Sequence, residues 1–211
     1  MAKLLLTGFT PFDGRPVNGS WIAAKSYAGA DHLEIPVVWG EPMPRLESAV
    51  TALQPEIIIS LGEGRVGWFD IETRARNQRK HRADTEYSYP TGEILVNGPA
   101  SRQATINASA LHQRLIEQHI PIRVSTDAGQ FICEETLYCL EQLKTEIDTL
   151  RTVVFVHLPP FGTELTYRGE ARLADEDLLE DFVERLVISV FELDGQLNLF
   201  DTASHQTQNR G

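Results

Sequence analysis

Cys133 stands in the run Asp127-Ala128-Gly129-Gln130-Phe131-Ile132-Cys133-Glu134-Glu135-Thr136, where a turn gives way at once to a helical pattern. A thiol in the first turn of a helix faces unpaired backbone N–H groups and the positive end of the helix dipole. Both favour the thiolate, which is the nucleophilic form. Downstream, the apolar run Thr152-Val153-Val154-Phe155-Val156 ends in His157. Thiol and imidazole are the two halves of a cysteine hydrolase, provided the fold brings them together. Glu72 lies in an alternating stretch beside a glycine loop. Its carboxylate either pairs with Arg74 or Arg76, or holds His157 in the tautomer that serves the thiol. Cys139 is mid-helix between Leu137 and Leu140, and reads as packing. Glu134 suits a helix start, but it would oppose thiolate formation if it turned toward the sulfur.

These groups need a scaffold. Lys3–Phe9 reads as a first strand, followed by a Gly/Pro-rich loop over 10–19 and a short helix over Ser20–Tyr27. His32–Trp39 is strand-like and broken by Pro36, and Met43–Leu53 has helical spacing with Leu46, Val50 and Leu53 on one face. Glu56–Leu61 is the near-continuous apolar run of a strand buried on both sides. Trp68–Ala75 alternates as a strand, and 76–105 is a long polar excursion with a hairpin expected near Tyr89–Leu95. Helices are expected at Asn107–His119, Gln130–Ile147 and Leu173–Leu193, and strands at Pro121–Ser125 and Arg151–His157. Strand and helix alternate, which predicts a three-layer α/β/α sandwich with a largely parallel central sheet. One domain is expected over residues 1–194, with a polar, disordered tail over 195–211.

Length and charge narrow the partners. A chain of 211 residues fits one domain with a full core. Its net charge of −11 disfavours nucleic acid and anionic membranes as partners. No apolar run approaches the ~20 residues of a membrane span. Two cysteines make no disulfide framework, so a cytoplasmic protein with free thiols is expected. No His-Glu-x-x-His run or Cys/His cluster has zinc spacing, so neither metal nor organic cofactor is expected. Gly62-Glu63-Gly64-Arg65-Val66-Gly67 fits the glycine pattern of a dinucleotide site. A strand-like stretch follows it, however, where that site requires a helix. Glu63 is also a poor neighbour for phosphate, so the loop reads as a flexible turn at a strand end.

Taken together, the residues resemble the pyroglutamyl peptidases, a family of cysteine exopeptidases. The resemblance rests on Leu6-Thr7-Gly8-Phe9-Thr10-Pro11-Phe12-Asp13-Gly14 with Asn18, and on the glycine loop with Ile71-Glu72-Thr73-Arg74-Ala75-Arg76-Asn77. It continues through Ser125–Glu134 and His157-Leu158-Pro159. It implies Cys133 as nucleophile, His157 as base and Glu72 as the orienting acid. It further implies that Phe9 and Phe12 sandwich a substrate lactam ring near Asn18, and that Arg82 helps the oxyanion. The implied substrates are peptides with N-terminal pyroglutamate, and the implied assembly is a homo-oligomer, a tetramer in bacterial members. The chain departs from the family pattern at Glu134 (asparagine in the family), at Gly19 and after Arg82. Two alternatives stand beside this reading: a cysteine amidase for another small cyclic amide, and a non-catalytic α/β protein that binds a small planar ligand.

Overall fold

A computed structural model describes residues 3–208, with side chains as far as Gly195. Its centre is a six-stranded sheet, built from β1 (Leu4–Phe9), β2 (Asp31–Ile35), β3 (Ile57–Glu63), β4 (Phe69–Glu72), β7 (Ile122–Ser125) and β8 (Thr152–Leu158), in the order β2-β1-β3-β8-β4-β7. The strands β2, β1, β3 and β8 run parallel. β4 pairs antiparallel with β8 and parallel with β7. The sheet is therefore largely parallel, as the alternation of elements predicted.

Helices cover both faces. α1 (Gly19–Ser26), α3 (Ala108–Ile116) and α5 (Glu176–Gln208) lie on one face. There Leu4, Leu6, Ile57 and Ile59 meet Leu178, Phe182 and Leu186 in one core. α2 (Pro42–Leu53) and α4 (Ile132–Glu146) lie on the other face. Leu5, Ile58, Val153 and Phe155 there meet Leu46, Leu137 and Leu140 in a second core. Strand alternation divides each strand between the two cores, so both faces must be apolar, and the sequence shows near-continuous hydrophobic runs. The β1–α1–β2 and β2–α2–β3 connections put their helices on opposite faces. β1 is flanked by β2 and β3, so winding reverses there and leaves a crevice at the strands' carboxyl ends, the position where α/β sheets bind ligands.

The 76–105 excursion departs from expectation. No hairpin forms over Tyr89–Leu95; a lone antiparallel bridge joins Arg79 to Gly92. Side chains occupy the backbone groups that a hairpin would have used. The Asn77 amide exchanges hydrogen bonds with Leu95, at 2.8 Å in each direction. The Arg79 guanidinium donates to the Glu93 carbonyl at 2.7 Å. The strand expected over Trp68–Ala75 divides at Thr73 into β4 and β5 (Arg74–Arg76), and β5 pairs antiparallel with β6 (Ser101–Gln103). A second hairpin, β9 (Glu164–Tyr167) and β10 (Glu170–Leu173), went unread in the sequence. Its turn places both Arg168 and Gly169 at positive φ, a conformation usually signalled by Asn-Gly rather than Arg-Gly. The polar segment expected as a tail from 195 continues the backbone of α5 to Gln208, and 209–211 lie outside the described residues.

Candidate active site

The site is built on the face shared with α2 and α4, where β3 and β8 end. In the sheet register Gly62 of β3 lies directly opposite His157 of β8. Gly62 presents no side chain there, and the Cys133 sulfur fills the space. A Cβ on Gly62 would stand 3.0 Å from Cys133 Sγ and 3.1 Å from His157 Cδ2. Gly64 is equally constrained, since a Cβ there would stand 2.7 Å from the His157 Cβ. These two glycines of the loop are thus required by close approach to the thiol and imidazole. Gly67 has a different reason, a φ of +83° with no neighbour within 4 Å.

His157 and Glu72 are buried. His157 Nδ1 donates to Glu72 Oε1 at 2.8 Å, which leaves Nε2 outside that pair, on the ring edge whose Cδ2 lines the same space over Gly62 as the Cys133 sulfur. β4 is antiparallel to β8 and puts Asp70 directly opposite His157. Glu72, two residues on, therefore reaches the ring along the diagonal. Neither arginine considered as a partner for Glu72 takes it: Arg76 binds Asp127 and Glu134, and Arg74 forms no ion pair among the described residues. Asp70 is held by Arg123 at 3.0 Å and 3.2 Å. Burial alone would lower the His157 pKa. Its interactions with Cys133 and with the Glu72 carboxylate outweigh burial and raise it to about 10. His157 is therefore held in its charged form near neutral pH, beside the Cys133 sulfur.

Cys133 occupies the second residue of α4, one after Ile132. Phe131 precedes the helix, and no side chain caps it there. The first-turn N–H groups, orphaned by helix geometry, are thus left beside the thiol as donors for an anion. The turn into α4 holds Gly129 and Gln130 in the left-handed region, at φ 91° and 55°. Glu134 secures it. Its carboxylate is fully buried and accepts from Gln130 N at 2.6 Å and from Arg76 N at 2.6 Å, with the Arg76 guanidinium at 3.2 Å. The negative charge that follows Cys133 is therefore paired with Arg76, and it supports the turn. Cys139 is buried in the second core, where burial pushes its thiol pKa up and keeps it protonated.

A narrow, largely apolar slot beside Cys133 is lined by Phe9, Phe12, Asn18, Val37, Glu63, Phe131 and Ile132. Phe9 and Phe12 thus share the slot, and the sequence reading missed a third aromatic, Phe131, although it lies only two residues before the thiol. Phe131 packs edge-on against Trp39, with centroids 5.1 Å apart. Asn18 is buried and caps α1, accepting from Ser20 N at 3.1 Å and donating to the Thr10 carbonyl at 3.0 Å. It fixes the loop that carries Phe12. Glu63, also missed as a site residue, ties that loop to the end of β3. It accepts from Gly19 N at 2.9 Å and Phe161 N at 3.0 Å, and pairs with Arg15. Arg82 lines the cavity that contains Cys133 and His157, with its guanidinium 4.2 Å from the Phe131 centroid and 5.9 Å from that of Phe12.

A thiol at a helix start, a buried imidazole and a buried carboxylate, gathered where β3 and β8 end in an α/β/α sheet, form a cysteine hydrolase type of site. Comparison with known proteins carries this further. The sequence pattern of the pyroglutamyl peptidase family matches residues 2–173. The pyrrolidone-carboxylate peptidase of Klebsiella pneumoniae is 35% identical over 202 residues, covering 90% of this chain and 94% of that protein. That of Streptomyces coelicolor is 35% identical over 171 residues, covering 75% and 78%. The crystal structure of pyroglutamyl peptidase I from Bacillus amyloliquefaciens superposes with a TM-score of 0.77 at 27% identity, covering 89% of this chain and 94% of that one. The chain belongs to the pyroglutamyl peptidase family.

Proposed function

We propose that this protein is a cysteine exopeptidase that hydrolyses the amide bond following an N-terminal 5-oxoproline, with Cys133, His157 and Glu72 as its triad. The observation that carries the reading is the Cys133 sulfur seated over Gly62, beside an imidazole whose other nitrogen is held by buried Glu72. A flat, uncharged lactam suits the slot between Phe9, Phe12 and Phe131, since aromatic faces bind such a ring without burying a charge.

The Cys133 thiolate attacks the carbonyl carbon, forming a C–S bond and an oxyanion. N–H groups at the start of α4 stabilise that oxygen, and Arg82 adds positive potential to the same cavity. As the C–N bond breaks, the proton on His157 Nε2 passes to the leaving amine. His157 then removes a proton from water, which attacks the thioester. Pyroglutamate departs and the thiolate returns. Glu72 holds the ring in one tautomer throughout and stabilises its charged form. The chemistry needs a reduced thiol, which a cytoplasmic setting would maintain, and both cysteines are free.

The purified protein is expected to release pyroglutamate from a pyroglutamyl-arylamide, and Cys133→Ser to abolish that release. Undiminished turnover by the serine variant rules the mechanism out.

A further inference from the structure

Next to the ring slot the crevice widens into a cavity of about 550 Å³, lined by the 10–15 loop, Val37, the 82–87 segment and Phe131. Phe12, Arg82 and Phe131 line both this cavity and the one that contains Cys133 and His157. A substrate whose ring is held beside Cys133 has its leaving group on the far side of the scissile bond, and this cavity offers it room. Arg82 stands at the junction.

The charges around this path are unequal in their availability. Glu63 is taken by Arg15 and two backbone donors. Asp84, which lines the larger cavity, accepts from the backbone N–H groups of Trp39, Glu86 and Ser88 at 3.0, 2.9 and 2.9 Å. Asp127 is bound to Arg76, and Asp70 to Arg123. Asp13 is the exposed carboxylate left on the rim. Arg82 has no ion-pair partner among the described residues, yet its position is fixed. Its backbone N–H donates to the Lys80 carbonyl at 2.7 Å, its carbonyl accepts from Trp39 Nε1 at 2.9 Å, and its guanidinium lies over Phe131. The Lys80 backbone N–H in turn donates to the Gln130 carbonyl at 3.1 Å, which joins this segment to the turn before Cys133. A fixed, unpaired guanidinium is a fork for a carboxylate, and stacking on an aromatic face leaves its N–H edges available.

We infer that Arg82 is a specificity residue that recognises a carboxylate on the leaving group, so that the preferred substrates are pyroglutamyl compounds whose first released residue carries a negative charge. The charge can be the main-chain carboxylate of a pyroglutamyl dipeptide or an acidic side chain at that residue. This deepens the pyroglutamyl peptidase reading and rests on it. It also asks more of Arg82 than general positive potential at the oxyanion, which would favour charged and uncharged leaving groups alike.

The test compares kcat/KM on pyroglutamyl-alanine, its amide, pyroglutamyl-glutamate amide and pyroglutamyl-glutamine amide. The parent protein, Arg82→Gln and Arg82→Glu are each assayed at low and high salt. An exposed charge-assisted pair predicts that the parent prefers a carboxylate-bearing substrate over its uncharged match by roughly 1.5- to 5-fold, more at low salt. The preference should vanish in Arg82→Gln and invert in Arg82→Glu. A preference confined to pyroglutamyl-alanine assigns the main-chain carboxylate, and one confined to pyroglutamyl-glutamate amide assigns the side chain. Each ratio is taken within one variant, so a uniform loss of rate cancels. Equal rates on charged and uncharged partners in the parent overturn the inference, as does a preference that survives Arg82→Gln. Absence of pyroglutamate release from every substrate, the arylamide included, instead overturns the peptidase reading beneath it.

Discussion

Gly62→Ala should separate the mechanical role of the glycine loop from the phosphate-binding role its spacing imitates. The new Cβ would lie 3.0 Å from Cys133 Sγ, 3.0 Å from Phe155 Cζ and 3.1 Å from His157 Cδ2. Favourable carbon contacts begin near ~3.5 Å, so each neighbour must yield by about half an ångström. The backbone cannot retreat, because Gly62 is inside β3 and paired in register with β8. Overpacking of this kind costs ~1–3 kcal/mol of stability, which urea denaturation reads as a lower midpoint. The rate should suffer independently. A misplacement of ~1 Å costs on the order of 100-fold, so half of that predicts a fall in kcat of roughly 10-fold. KM should change little, since the aromatic slot is untouched. Gly67→Ala is the control. It incurs ~1–2 kcal/mol of left-handed backbone strain at a φ of +83°, with no neighbour to displace. It should lose stability and keep its kcat. A Gly62→Ala enzyme with kcat within about twofold of the parent would refute the close-approach account.

The charge state of the site predicts a pH limit. In the proposed mechanism His157 must carry a proton to release the amine, and its pKa is raised to about 10, so kcat/KM should fall as pH rises through about 10. Glu72→Gln removes one of the charges that raise it, so the alkaline limb should move to lower pH and kcat should drop; an unmoved limb would show that the carboxylate does not act on the ring. Glu141, buried on α4, accepts from Thr105 N at 3.0 Å, and burial raises its pKa to about 7. A carboxyl with a folded pKa above its unfolded value is favoured protonated, so its contribution to stability is present below about 4.5 and lost as pH rises through about 7. Glu141→Gln should therefore flatten the stability profile between those limits and stabilise the protein above pH 7 by up to ~3 kcal/mol, read from denaturant midpoints.

Much of the chemistry was local enough to be visible in the chain. Cys133 at a helix start and His157 at a strand end are positions that periodicity and turn composition mark, and Cys139 is distinguished by sitting mid-helix among leucines. The layered architecture follows from alternating apolar runs and amphipathic helices, which leave few other ways to bury both faces of a sheet. The 76–105 segment was opaque because its conformation is set by side chains of distant residues bonding its backbone, as Asn77 does to Leu95, and no period records that. The hairpin after β8 escaped for a similar reason, its Arg-Gly turn being an uncommon choice.

The chain alone was enough for most of the elements around the central sheet, for the two cysteines' different addresses and for the likeness to one family of peptidases. That Glu72 bonds to His157 rather than to an arginine follows from the fold, because an antiparallel β4 places it on the diagonal from the ring. The same holds for Glu134, whose charge is turned into Arg76 and the turn before Cys133, and for Gly62, whose missing side chain is the space the sulfur occupies. These are contacts between residues far apart in the chain. They depend on strand order and register, which hydrophobic periodicity does not encode.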